Sequence, residues 1–253
     1  MDDWIDFYDS AHTIYVNARH RDVHFLTIAE DLARYVARTR LPGAIVLDYG
    51  CGEALHADMV AAQAGRLILV EPAPGVRARL AARFGANPRI EVCAPERLAA
   101  LPDHSVDLVV MHSVAQYLTA QELDAALVLF RRLLSPTGSL VLGDVIRPTT
   151  SALADALALL RFGARHGFFF AALIGLGRTV LSPYWRLRSA LGLTRYDEAT
   201  IAAKLAAAGL SAERAPANIG HNGARMTFVA RPVVPARRST AGRSTAGRST
   251  AGR

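Results

Sequence analysis

The feature that most constrains this chain is an alternation of short apolar runs with amphipathic segments, sustained from residue 20 to residue 144. Over 20–38, Val23, Leu26, Ile28, Leu32, Tyr35 and Val36 recur at helical spacing. Further helices are predicted over 54–64, 74–84, 119–134 and 197–208, with Thr119 as N-cap and Glu122 three residues on. Between them, 44–48, 66–71, 89–93, 106–111 and 138–144 read as strands. These runs have no polar face, which implies strands buried on both sides, as in a parallel sheet covered by helices. Two more strands, near Ala212 and over 226–230, are separated only by the loop 217–224 and should pair antiparallel. The expected fold is therefore α/β, with seven mainly parallel strands, an antiparallel final strand and helices on both faces. A helical, apolar insertion of about 149–195 follows the fifth strand.

The sharpest local signal is Val46-Leu-Asp-Tyr-Gly-Cys-Gly-Glu-Ala. A strand that runs into Gly50-x-Gly52 and then a helix lets a ligand approach the backbone closely. Glycine has no Cβ to obstruct it, and a helix N-terminus offers unpaired N–H donors. Twenty-three residues after Asp48, at the end of the second strand, stands Glu71, an acid placed to accept hydrogen bonds from a ribose diol. A dinucleotide fingerprint would require a third glycine where Leu55 stands, and an apolar residue where Asp48 stands. A carboxylate there repels a pyrophosphate and attracts an ammonium or sulfonium group. The loop is shaped for a cationic nucleoside without phosphates.

These residues resemble the class I S-adenosylmethionine-dependent methyltransferases, over roughly residues 44–232. The resemblance implies a Rossmann-like sheet and S-adenosyl-L-methionine as cofactor. It implies that Asp48, Gly50, Cys51 and Gly52 hold the methionine half, and that Glu71 with Pro72 receives the ribose. Where that family often has an acid beside the adenine, Ala94-Pro95-Glu96-Arg97-Leu98 has Ala94, leaving Pro95 and Glu96 as the adenine-side residues. The stretch Val106-Asp-Leu-Val-Val-Met-His-Ser-Val-Ala-Gln-Tyr-Leu looks like the family's fourth motif, so His112, Ser113 and Tyr117 should wall off the methyl donor. A general base is needed only for an acceptor that must lose a proton, and His112, Asp144 and His221 are the candidates at the carboxyl edge.

Residues 1–40 read as an N-terminal helical cap, in which the stretch 15–24 could fold over the ligand, and 41–235 as the methyltransferase domain. His20 and His24, one turn apart, could face a metal, but no third ligand accompanies them and no metal is expected. Cys51 reads as loop geometry rather than a nucleophile. In the insertion, the run 168–177 is apolar nearly all round and flanked by Arg161, Arg165, Arg178, Arg186 and Arg188. Such a helix lines a hydrophobic pocket, completes the core, forms a dimer interface or touches a membrane face. The pocket reading implies a small, lipophilic acceptor under a lid, and a homodimer is the other use of this face.

Composition enters mainly by exclusion. At 51% hydrophobic and 20% charged residues, a chain disordered throughout, a collagen repeat and a disulfide scaffold are excluded. The net charge is +7, but five arginines of the tail 236–253 supply five of those charges. A body this close to neutral argues against nucleic acid as the partner. The tail repeats Arg-Ser-Thr-Ala-Gly three times and should be disordered. The longest apolar run is half the roughly 20 residues that span a bilayer, so no integral span is expected. An acidic start without an apolar stretch points to a cytoplasmic protein. Three alternatives remain: a nucleic-acid methyltransferase, a catalytically inactive cofactor-binding partner subunit, and an NAD-dependent oxidoreductase.

Overall fold

The computed structural model describes residues 2–9, 15–179 and 192–233. Arg186, Arg188 and the tail 236–253 lie outside the described residues. Helices α1 (Asp2–Asp9) and α2 (Ala18–Thr39) precede the alternation β1 (Ile45–Tyr49), α3 (Ala57–Gln63), β2 (Arg66–Val70), α4 (Pro74–Phe84), β3 (Ile90–Cys93). It continues with β4 (Val106–His112), α5 (Ala120–Leu133) and β5 (Leu134–Val145). Then come α6 (Ala152–His166), α7 (Phe169–Thr179), α8 (Glu198–Ala207), β6 (Leu210–Arg214) and β7 (Met226–Pro232).

Local chemistry sets the helix ends. The Asn17 side chain accepts from the His20 N–H at 2.8 Å and starts α2. Thr119 and Glu122 form the reciprocal capping box of α5, and Asp197 caps α8. The helix expected from Ala54 starts three residues later, because Ala54 takes a left-handed φ of 39° and stays in the glycine loop. Strand β5 begins four residues before the expected 138, directly at the end of α5.

The sheet runs β3-β2-β1-β4-β5-β7-β6. Pairings from β3 to β5 are parallel, and β7 runs antiparallel to both β5 and β6. The order reverses between β1 and β4, so a crevice opens at their carboxyl ends. Strand residues divide by parity. Val46, Leu67, Leu69, Leu108, Val110 and Val141 pack against α2, α3 and α4, while Leu47, Ile68, Val109, Met111, Leu140 and Leu142 pack against α5 and α8. Asp48 and His112 share the parity of Val46 and Val110, which aims both side chains to the α2 side at the crevice.

Phe130 of α5 is fully buried, edge-on to Tyr49 with ring centroids 5.2 Å apart. Phe130→Ala would open a cavity directly beneath β1. Denaturant unfolding should register a loss of about 3–5 kcal/mol.

Candidate functional site

The site grows from the end of β1. Gly50 has φ 71°, and a Cβ there would lie 2.4 Å from Val114 Cγ2, so only glycine fits. Gly52, with φ 57°, has open space on its Cβ side. The Gly50 N–H donates to the Val70 carbonyl at 2.7 Å, turning the loop across the end of β2. There Glu71 is buried, with Oε2 accepting from the Gly52 N–H and Oε1 from the Ala73 N–H, both at 2.9 Å. Each oxygen keeps a further lone pair for a ligand hydroxyl.

Asp48 is also buried, beside Glu71. Burial, and then the charge of Glu71, pushes its carboxyl up to about 7. Glu71 is raised too, by burial, against the pull of the two N–H donors. Burial, then the two carboxylates, raises the Cys51 thiol well above its ordinary range, which leaves it a poor nucleophile. Two buried carboxylates at one loop make a site that a cationic ligand would relieve.

These groups line a cavity of about 400 Å³ that also takes in Pro72, His112, Ser113, Tyr117, Asp144 and His221. Pro95 and Glu96 are not brought to it. They lie on the short 3₁₀ turn Pro95–Ala100, where fully buried Leu98 anchors the turn and Glu96 faces solvent.

Helix α1 closes the side near Tyr117. Trp4 is buried with its ring 4.6 Å from that of Tyr117, and the Tyr8 and Tyr117 hydroxyls are 2.7 Å apart. Asp9 Oδ1 accepts from the Gly75 N–H at 2.6 Å and the Val76 N–H at 3.1 Å, so α1 is fastened to the first turn of α4.

The opposite side holds a carboxylate–guanidinium network. Asp144 Oδ2 accepts from the Ser113 hydroxyl at 2.6 Å and from Arg225 Nη1 at 3.4 Å. Arg225 Nη2 reaches both oxygens of Asp155 at 3.1 Å, and Asn222 Nδ2 donates to Asp155 Oδ1 at 2.8 Å. Asn218 Nδ2 donates to Asp144 Oδ1 at 3.2 Å. Ser113 and Asp144 sit at φ 57° and 62°, a left-handed backbone that costs non-glycine residues about 1 kcal/mol or more each. The sequence reading missed Asp155, Asn218, Asn222 and Arg225. One signal was present: Asp155 is the lone acid in the apolar run of α6.

Four imidazoles, His20, His24, His112 and His221, line the same cavity. Burial is the largest cause in each case and lowers all four, His20 to about 4. Each is therefore a neutral base near neutral pH. His20 stacks on Phe168 at 4.9 Å, and His221 stacks on Phe162 at 4.3 Å. Among the described residues no group of three His, Cys, Asp or Glu is gathered to hold a metal.

An open, mainly parallel sheet with a glycine loop at its switch point and an acid ending β2 defines an α/β protein of the doubly wound type, with its crevice at that switch point. Residues 47–142 match the profile of a family described as a methyltransferase domain. No curated protein sequence matches the chain. Among solved structures, it is similar to magnesium protoporphyrin IX methyltransferase (ChlM) from Synechocystis PCC 6803, solved with bound S-adenosylhomocysteine. Identity is 20%, coverage 92% of this chain and 94% of that one, and the TM-score 0.57. The amino pentose methyltransferase CalS10 from Micromonospora echinaspora gives 17% identity, 88% and 100% coverage and a TM-score of 0.57. The N-methyltransferase NodS from Bradyrhizobium japonicum WM9 gives 18%, 90% and 95%, and 0.56. The chain thus shares the Rossmann-like, seven-stranded fold of these methyltransferases.

The raised carboxyl of Asp48 carries a stability consequence. A folded pKa near 7, above the unfolded value of about 3.9, means that ionised Asp48 opposes folding above pH 7, and that this burden disappears as pH falls toward 4. Asp48→Asn should therefore raise the unfolding midpoint at pH 8, with the gain shrinking between pH 7 and pH 4. Thermal unfolding of both chains across that range checks it.

Proposed function

We propose that the chain is an S-adenosylmethionine-dependent methyltransferase acting on a small, lipophilic acceptor. The observation that carries this reading is one cavity lined both by a buried carboxylate pair, Asp48 and Glu71, and by neutral imidazoles. S-adenosylmethionine, when bound, supplies an electrophilic methyl group on a positively charged sulfur. Asp48 and the Gly50–Gly52 backbone would hold its cationic amino-acid end, and Glu71 its ribose hydroxyls. The family profile, and the bound S-adenosylhomocysteine named for ChlM and NodS, support that assignment.

The remaining residues would serve the transfer by position. Trp4, Tyr8 and Tyr117 shield the cavity from water, and α1 with the first turns of α2 serves as the lid. Phe25, Ile28, Leu159 and Leu193 give the acceptor side an apolar wall, which favours a lipophilic partner. An acceptor hydroxyl must lose a proton to attack, and His221 is the base proposed for it. Its imidazole is neutral, and the charge of Asp144 favours the imidazolium that forms.

Calorimetric titration of the full chain with S-adenosylhomocysteine, and separately with NAD, is the test. Binding of the first alone is expected; binding of NAD alone would overturn the reading. Because Asp48 must be ionised to attract the ligand ammonium, affinity should fall about tenfold between pH 8 and pH 6, and Asp48→Asn should flatten that dependence. In turnover assays with lipophilic hydroxylated acceptors at saturating cofactor, His221→Ala should lower kcat by about 10²-fold or more while leaving cofactor affinity unchanged. A chain that binds cofactor but turns over no acceptor would be a partner subunit instead.

A further inference from the structure

We propose that the outer face of the α6–α7 pair docks on an anionic lipid surface. The proposal does not rest on the methyl-transfer reading.

The inner faces of these helices are committed to the fold. Phe162, Phe168 and Ala172 are buried with Val23 of α2, and Asp155 and Leu159 face the cavity. Gly163 lets α7 approach α6, since a Cβ there would lie 3.1 Å from Phe169 Cα. What remains outward on α7 is Phe169, Phe170, Leu173 and Ile174, with Phe170 76% exposed and Ile174 56%. On α6, Leu153, Leu157, Arg161 and Arg165 fall on one exposed stripe at intervals of four. A shallow recess of about 290 Å³, lined by Gly163, Ala164, Phe169 and Phe170 among others, joins the two helices at their turn. The exposed end of α6, after Arg161, and the exposed start of α7, at Phe169 and Phe170, thus meet at this turn.

Its charge identifies the occupant. The exposed ionisable groups of the pair are Arg161, Arg165 and Arg178, all basic. The only acid in either helix, Asp155, faces inward to Arg225 and Asn222. Protruding aromatic and aliphatic side chains rimmed by arginine match a bilayer interface, where the apolar groups enter the acyl boundary and the guanidinium groups meet phosphates. A second copy is a poor occupant, because two-fold pairing of this face would oppose like charges with no acid to receive them. Among the described residues no helix is long and apolar enough to cross the membrane, so contact would be peripheral. The cavity-lining residues of α6 lie directly behind the patch, which would bring a lipophilic acceptor near the cavity.

Co-sedimentation of the full chain with vesicles tests the proposal, using phosphatidylcholine alone and phosphatidylcholine with about one-third phosphatidylserine. Binding at least tenfold tighter to the anionic vesicles is expected, weakening with salt. Phe170→Asp with Ile174→Asp, and separately Arg161→Ser with Arg165→Ser and Arg178→Ser, should each weaken it at least tenfold with an unchanged unfolding midpoint. A chain whose five tail arginines, Arg237, Arg238, Arg243, Arg248 and Arg253, are all changed to serine should still bind. No binding by the unaltered chain, full binding by both patch variants, or loss in the tail variant alone would overturn the proposal. So would a concentration-dependent dimer, without vesicle binding, that Phe170→Asp abolishes.

Discussion

Burial of β1 on both faces is the constraint on which the rest depends. Its backbone is paired to β2 on one edge and β4 on the other, and its side chains alternate between two helical layers. A strand so enclosed can meet a ligand only where it stops, at the switch between β1 and β4. Gly50 turns the chain there, and its missing Cβ is what allows Val114 to close against it. The cavity is a consequence of how the sheet ends, and so is the proximity of Asp48 to His112.

That enclosure also explains the electrostatics. Asp48 and Glu71 are held in a dry place by a scaffold whose packing energy comes from elsewhere, so they can be destabilising without unfolding the chain. The same burial that raises Asp48 toward neutrality keeps His20, His24, His112 and His221 uncharged. A carboxylate pair suited to a cation and a set of neutral imidazoles thus line one cavity. The network Ser113–Asp144–Arg225–Asp155 ties the end of β5 to α6 at the cavity.

Helices α6 and α7 serve two surfaces at once. Asp155, Leu159 and Phe162 look to the cavity and the His221 ring, while Phe170 and Ile174 look outward. Such a division is natural for an insertion at the carboxyl edge of a sheet, where one side of a helix pair meets the crevice and the other is turned away from the sheet.

Much of this was legible in the chain itself. Strand and helix order, the parallel sheet and the antiparallel end follow from hydrophobic period and loop length, which are local properties. The glycine loop with Asp48 and Glu71 was legible because a tight strand-to-helix turn needs glycine at fixed positions whatever surrounds it. The tertiary structure alone decided that Pro95 and Glu96 stay away from the cavity. It alone brought Arg225 and Asp155 together, seventy residues apart. It also folded α1 onto α4 through Asp9. Contacts of this kind depend on how far apart elements pack and which way their faces turn, and no local pattern in the chain records either distance or rotation.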